Sequence, residues 1–247
     1  MFSFLKNHPF VVEAFFESSI VFTFAVPQEE IKHLIPDCFK LDTFQNKWAF
    51  IAVAMVNTKN LRPKGFPKFT GNDFFLIGYR VFVRFTNNAG KNLRGLYILK
   101  SETNKNKMEF LGNIFTHYNY TTTDILQTVQ SNNIEVASNK SNFKIQIETF
   151  ENEEAFLPNN SPFTEWKEAR RFAGPLPFTF SYNKVENKVL IIEGVREKWK
   201  PMPVNAIDYK FSFLDDMKLN EVHLASAFII KNIPYCWKKG KIEKWIN

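Results

Sequence analysis

Most of the chain carries the two-residue hydrophobic period of β-strands, and its clearest stretch is Phe74 to Phe85. The odd positions Phe75, Ile77, Tyr79, Val81, Val83 and Phe85 are all apolar or aromatic. The even positions hold Phe74, Leu76 and Phe82, but also Arg80 and Arg84. Neighbouring side chains of a strand point to opposite faces, so both arginines project from the Phe82 face. Asn87-Asn88-Ala89-Gly90 is turn chemistry, and a second strand follows from Leu93 to Glu102, which predicts a hairpin. Arg94, Leu96, Ile98, Lys100 and Glu102 then share one face of the second strand. Trp48 to Val56 is apolar on both alternations and reads as a strand buried on both sides.

Further strand pairs are predicted at Ile134–Ala137 with Phe143–Phe150, and at Leu176–Tyr182 with Val189–Trp199. Two later strands fall at Val204–Leu214 and Glu221–Lys231. Helical signals are fewer. In VPQEEIKHLIPDCF, Pro27 suits a first turn, Glu29 and Glu30 favour a helix start, and Pro36 ends the segment. A second helix is bounded by Ser161-Pro162 and Gly174-Pro175, with Phe163, Trp166 and Arg170 along one stripe. A weaker helical signal spans Asp124 to Gln130, and Leu61 to Asn72 reads as loop. Repeated hairpins with few short helices, and no repeat or long linker, predict one domain over residues 1–247. Its class is mainly β, as an antiparallel barrel or a pair of packed sheets.

Composition sharpens this picture in three places. The 28 Phe, 7 Tyr and 5 Trp favour pleated, buried surfaces. A net charge of +7 raises the question of a polyanionic partner, but the lysines are dispersed and no nucleic-acid module is spelled out. The expectation is therefore no nucleic-acid partner. The two cysteines, Cys38 and Cys236, lack any CxxC spacing, so neither a disulfide framework nor a metal centre is expected. MFSFLKNHPF does not have the layout of a signal peptide, and no apolar run is long enough for a membrane-spanning helix, so the reading is cytoplasmic, without a membrane partner.

The stretch VPQEEIKHLIPDCFKLDTFQNKWAFIAVAMV resembles the uncharacterised YqjF-like family, a relative of acetoacetate decarboxylase. GYRVFVRF, RGLYILKSE, RRFAGPLPFTF and EGVREKWKPMPV extend that likeness over roughly residues 15 to 235. The resemblance implies a cone-like antiparallel β-barrel with a small-molecule pocket, and oligomerisation is compatible with it. In the decarboxylase branch a lysine forms a Schiff base with a keto acid. The matching region here, MEFLGNIFTHYNY, offers Phe115 or Tyr118 in the lysine position, and neither is an amine. The chain also departs from its nearer relatives: Leu76 and Gly78 replace an expected acidic residue and an asparagine, and His117 replaces a proline.

Candidate residues follow from both readings. Arg80 and Arg84, beside Phe82, have the planar fork that fits a carboxylate; pairing with Glu102 is the plainer alternative. Lys100 is a candidate displaced imine former, and His117 and Tyr118 are candidate acid–base groups. Arg171 and Arg196 are further candidates for ligand contact; a helix-end cap and a strand-surface ion pair are their structural alternatives. His8 has no partner pattern. No phosphate loop, HExxH or GxSxG occurs, and no cofactor is expected. The leading expectation is a binder of a small organic acid. The alternatives are a cofactor-free lyase, hydratase or isomerase, and a structural barrel filled with phenylalanine.

Overall fold

The computed structural model describes residues 3–150, 157–197 and 199–245. Its fourteen strands are β1 (Val12–Pro27), β2 (Lys40–Leu41), β3 (Trp48–Pro63), β4 (Asn72–Thr86), β5 (Asn92–Thr103), β6 (Tyr120–Thr122) and β7 (Leu126–Gln130), then β8 (Asn133–Ser138), β9 (Phe143–Thr149), β10 (Phe178–Asn183), β11 (Lys188–Arg196), β12 (Met202–Phe211), β13 (His223–Trp237) and β14 (Lys241–Lys244). The α-helices are short: α1 (Gln28–Ile31), α2 (Asn106–Phe115), α3 (Trp166–Ala173) and α4 (Ser212–Asp215). The class is mainly β, as the hydrophobic periods indicate.

The strands pair in the order β11-β10-β5-β4-β3-β1-β13, and β13 then pairs back onto β11. The seven strands therefore form a closed ring, which leaves no free edge within it. Most of the ring is antiparallel, but β10 joins β5 in parallel. A second sheet, β12-β9-β8-β7, packs on the outside of β1, β3 and β4. That outer core joins Phe22, Phe24 and Tyr79 on the wall to Ile145 and Phe211 on the second sheet. Inside the ring, Phe163, Trp166 and Phe172 from α3 and its approach plug one end against Phe50, Phe82 and Phe228.

The hairpins expected at β4–β5, β8–β9 and β10–β11 are present. The longest surprise is β1, an extended strand at the centre of the sheet that pairs with both β3 and β13. Residues 126–130 are strand rather than helix: Leu126 to Gln130 forms a hairpin with β8 through Ser131, whose φ is +52°. The second predicted helix starts only at Trp166. Ser161 instead donates to the Ala225 carbonyl at 2.7 Å and accepts from the Phe163 amide, pinning the approach to β13.

One buried ion cluster ties the plug to the ring. Asp42, fully buried, accepts from Arg84 Nε and Arg94 Nε at 2.6 Å each, one on each carboxylate oxygen. Arg94 also donates to the Phe172 carbonyl at 3.0 Å and lies 4.6 Å from the Phe172 ring. Removing one partner of a buried ion pair costs about 3–5 kcal/mol. Both guanidiniums keep some contact with solvent, so Asp42→Ala is expected to lower unfolding free energy by about 2–4 kcal/mol in urea titration.

Candidate functional site

The ring encloses a cavity of about 260 Å³, and every one of its seven strands contributes to the wall. Small side chains create the space: Ala52 and Ala54 on β3, and Ser19 on β1. Around them stand Val56, Leu76, Phe82, Ile98, Phe228 and Ile230, so the surface is mainly apolar. A ligand of a few carbon atoms fits such a volume better than a nucleotide does.

Three arginines reach this wall, and their partners differ. Arg62 donates to Glu13 and is neutralised there. Arg80 makes no hydrogen bond and no ion pair among the described residues, and its Nε is buried without a partner. The guanidinium lies across Gly78: a Cβ there would meet Arg80 Nε and Nη2 at 3.1 Å. Arg196 donates through Nη1 to the Tyr235 hydroxyl at 3.4 Å and through Nη2 to the Pro175 carbonyl. Its guanidinium also lies 5.1 Å from the Trp199 ring and 5.8 Å from the Tyr235 ring, and its Nε has no partner. No Asp, Glu or Lys side chain belongs to the cavity wall among the described residues.

The phenols are placed by α2 and the turn after it. Asn113 clamps the Tyr120 backbone, accepting from its amide at 2.7 Å and donating to its carbonyl at 2.9 Å. Gly112 leaves room for the ring, because a Cβ there would stand 2.4 Å from Tyr120 Cδ2. Burial pushes the Tyr120 phenol up to about 12, against a smaller opposing pull from Arg80. Tyr118 is raised further, first by burial and then by Tyr120, while Thr179 hydrogen bonds to it. Both phenols therefore stay protonated near neutral pH.

The sequence candidates separate into two groups. Arg80, Phe82, Tyr118 and Arg196 share the cavity wall. Arg84 projects from the Arg80 face but sits four residues along, roughly 13 Å away, where Asp42 holds it. Lys100 and Glu102 lie on the opposite face. A bulge in β5 sets Tyr79 opposite Lys100 but Arg80 opposite Ile98, so the alternation inverts between Ile98 and Ser101. Lys100 pairs with Glu102 at 3.1 Å and faces the rings of Tyr79 and Phe213 outside the barrel. Glu102 also accepts from Ser141 at 2.5 Å and does not meet Arg80. Arg171 is exposed on α3, and His117 lies off the wall, 3.5 Å from Asn7 Oδ1. Burial, then Lys6, holds the His117 imidazole below its ordinary range. Among the described residues no three His, Cys, Asp or Glu side chains converge as metal ligands would.

His8 is a wall residue that no sequence pattern singles out. It is 6% exposed, adopts φ +52°, and its Nε2 is buried without a partner. Burial lowers its pKa to about 4, against a smaller opposing effect of a hydrogen bond to the Trp237 backbone. An unfolded chain protonates this imidazole near 6.5, so between pH 6.5 and 4 the unfolded state binds more protons. Stability should therefore fall as pH drops through that window, by up to about 3 kcal/mol from this group. His8→Phe is expected to flatten that part of the stability–pH curve in chemical unfolding.

Comparison with known proteins follows the same outline. The family DUF2071, described as an uncharacterized conserved protein, matches residues 15–233. No curated protein matches the chain at a significant level. Among solved structures, an acetoacetate decarboxylase from Legionella pneumophila superposes with a TM-score of 0.61 at 9% identity, covering 95% of this chain and 87% of that one. The enduracididine biosynthesis enzyme MppR complexed with pyruvate gives 0.58 at 8%, covering 95% and 90%. An acetoacetate decarboxylase-like enzyme from Sphingomonas wittichii gives 0.58 at 7%, covering 98% and 94%. At such identities the likeness establishes the fold. No helix among the described residues is long and apolar enough to cross a membrane.

Proposed function

Because the chain belongs to the DUF2071 family of uncharacterized conserved proteins and has the acetoacetate decarboxylase-like fold, we propose that its barrel binds a small organic acid, with Arg80 as the carboxylate anchor. The observation that carries this reading is the unpaired Arg80 guanidinium on an apolar wall without carboxylates. A half-buried cation without a counter-ion still costs stability, and an incoming carboxylate supplies the missing partner through charge-assisted hydrogen bonds. Leu76 fits the same logic. It lines the cavity where the family resemblance calls for an acidic side chain, so the negative charge is left for the ligand to bring. Tyr118 and Tyr120 add neutral O–H groups near this anchor, and Val56, Ile98 and Ile230 offer apolar contact for a short hydrocarbon part. MppR, of the same fold, holds pyruvate, which is an acid of this class.

Imine chemistry has no support in the wall. Lys100 lies outside the ring, and the position matched to the family lysine is occupied by Phe115 or Tyr118. Of the two acid–base candidates only Tyr118 reaches the cavity, and proton donation from it is the second reading, favoured by its place beside Arg80. The cavity also disfavours a barrel packed solid with phenylalanine.

Calorimetric titration with pyruvate and other small carboxylates is expected to show binding. Arg80→Met should weaken it roughly 10–100-fold, the scale of a charged hydrogen bond of about 1.5–3 kcal/mol. Leu76→Glu should weaken it comparably by pairing with Arg80 internally. Wild-type protein that binds no small carboxylate, or an Arg80→Met variant that binds as well as wild type, would refute the proposal. Borohydride treatment with pyruvate should leave the protein mass unchanged, because no wall lysine is available to trap.

A further inference from the structure

The chain has seven arginines, and their environments sort them sharply. Arg62 is paired with Glu13, Arg84 and Arg94 share Asp42, and Arg170 and Arg171 are exposed to water. Among the described residues, only Arg80 and Arg196 are both in the cavity wall and without a carboxylate partner. The same protein therefore neutralises its other sheltered guanidiniums and leaves two uncompensated charges facing one enclosed space. We propose that the natural ligand carries two anionic groups, a small dicarboxylate, with one end at Arg80 and the other at Arg196. This inference rests on the organic-acid reading and narrows it.

The two cations reach the cavity from different strands, Arg80 from β4 and Arg196 from β11. Tyr118 lies within electrostatic reach of Arg80 and of Tyr235, and the Tyr235 hydroxyl accepts from Arg196 Nη1. Around the ring β5 and β10 lie between β4 and β11, so Arg80 and Arg196 spring from backbone roughly 14 Å apart along the wall, three strand spacings of about 4.8 Å, a separation suited to two acid groups on a short chain. Arg196 is also fixed before any ligand arrives. The rings of Trp199 and Tyr235 flank it, and the Pro175 carbonyl holds one Nη group. Gly194 makes that arrangement possible, since a Cβ there would fall 1.9 Å from Tyr235 Oη. Each Nη of a guanidinium has two N–H groups, so the hydrogen bonds to Tyr235 and Pro175 still leave donors for a carboxylate. A fixed cation loses less freedom on binding than a mobile lysine does.

The test compares succinate, glutarate and adipate with their monomethyl esters by calorimetry, using wild-type protein, Arg196→Met and Arg80→Met. At least one diacid should bind wild-type protein on the order of tenfold or more tightly than its monoester, the scale of one charged hydrogen bond. Arg196→Met should erase that preference, and a cooperative urea unfolding transition shows that the variant is folded. Arg80→Met should weaken diacid and monoester together. If monoesters and diacids bind wild-type protein equally, or if Arg196→Met keeps the preference, the dicarboxylate inference is wrong and the organic-acid reading stands. If pyruvate, diacids and monoesters all fail to bind, both fall.

Discussion

The structure depends on the closure of its main ring by pairing between β11 and β13, at Gly194 with Trp237, Val195 with Cys236 and Arg196 with Tyr235. A closed sheet has an inside, and what fills that inside decides whether the molecule has a site. Here α3 and its approach fill one end with aromatic rings, while alanines and a serine on β3 and β1 leave the middle open. The seam is also part of the site. The register that closes the ring sets Arg196 directly opposite Tyr235, and Gly194 supplies the clearance that lets the tyrosine lie across the strand. Closure and cavity chemistry are one construction.

Charge is treated differently at two places on the inner face of this wall. Outside the cavity, Asp42 is fully buried so that two arginines can each take one of its oxygens. Inside it, Arg80 lies over a glycine with no acceptor at hand among the described residues. A desolvated cation with no partner destabilises the fold that contains it, by up to several kcal/mol when burial is complete. Contact with the open cavity relieves part of that cost for Arg80, and a bound anion would relieve more. The ion pair at Asp42 therefore belongs to stability, whereas the lack of one at Arg80 is the feature on which the proposed carboxylate binding rests.

How much of this was legible in the sequence depends on where the period of two survives. In β4 it is unbroken from Phe74 to Arg84, so the placing of Arg80 and Phe82 on one face was readable from the residues alone. In β3, β5 and β13 the wall advances by three at one point: Thr58 to Leu61, Ile98 to Ser101, Ile230 to Ile233. Asn60 and Asn232 adopt φ of +54° and +57° inside two of these steps. A bulge moves every later side chain to the other face, and that inversion carried Lys100 and Glu102 from the expected Arg80 face to the outside. The pairing of Arg84 was hidden for another reason. Its partner stands 42 residues away in sequence, and no local pattern reports such a contact. His8 was hidden likewise, reaching the cavity from a segment before the first strand.

The balance of donors and acceptors on the wall bears on what the cavity can do. Arg80, Arg196, Tyr118 and Tyr120 all present N–H or O–H groups, and the phenols remain protonated because burial disfavours their charged form. Such a wall stabilises negative charge on whatever enters it. Removing a proton from a ligand requires something else: an accessible acceptor that titrates near the working pH. Among the described wall residues the nearest approach is His8, yet burial lowers its pKa to about 4 and its Nε2 is covered. A wall rich in donors and poor in bases is equipped to hold an anion and to share charge with it. That favours the proposed recognition of an acid already ionised in water over proton abstraction by the protein.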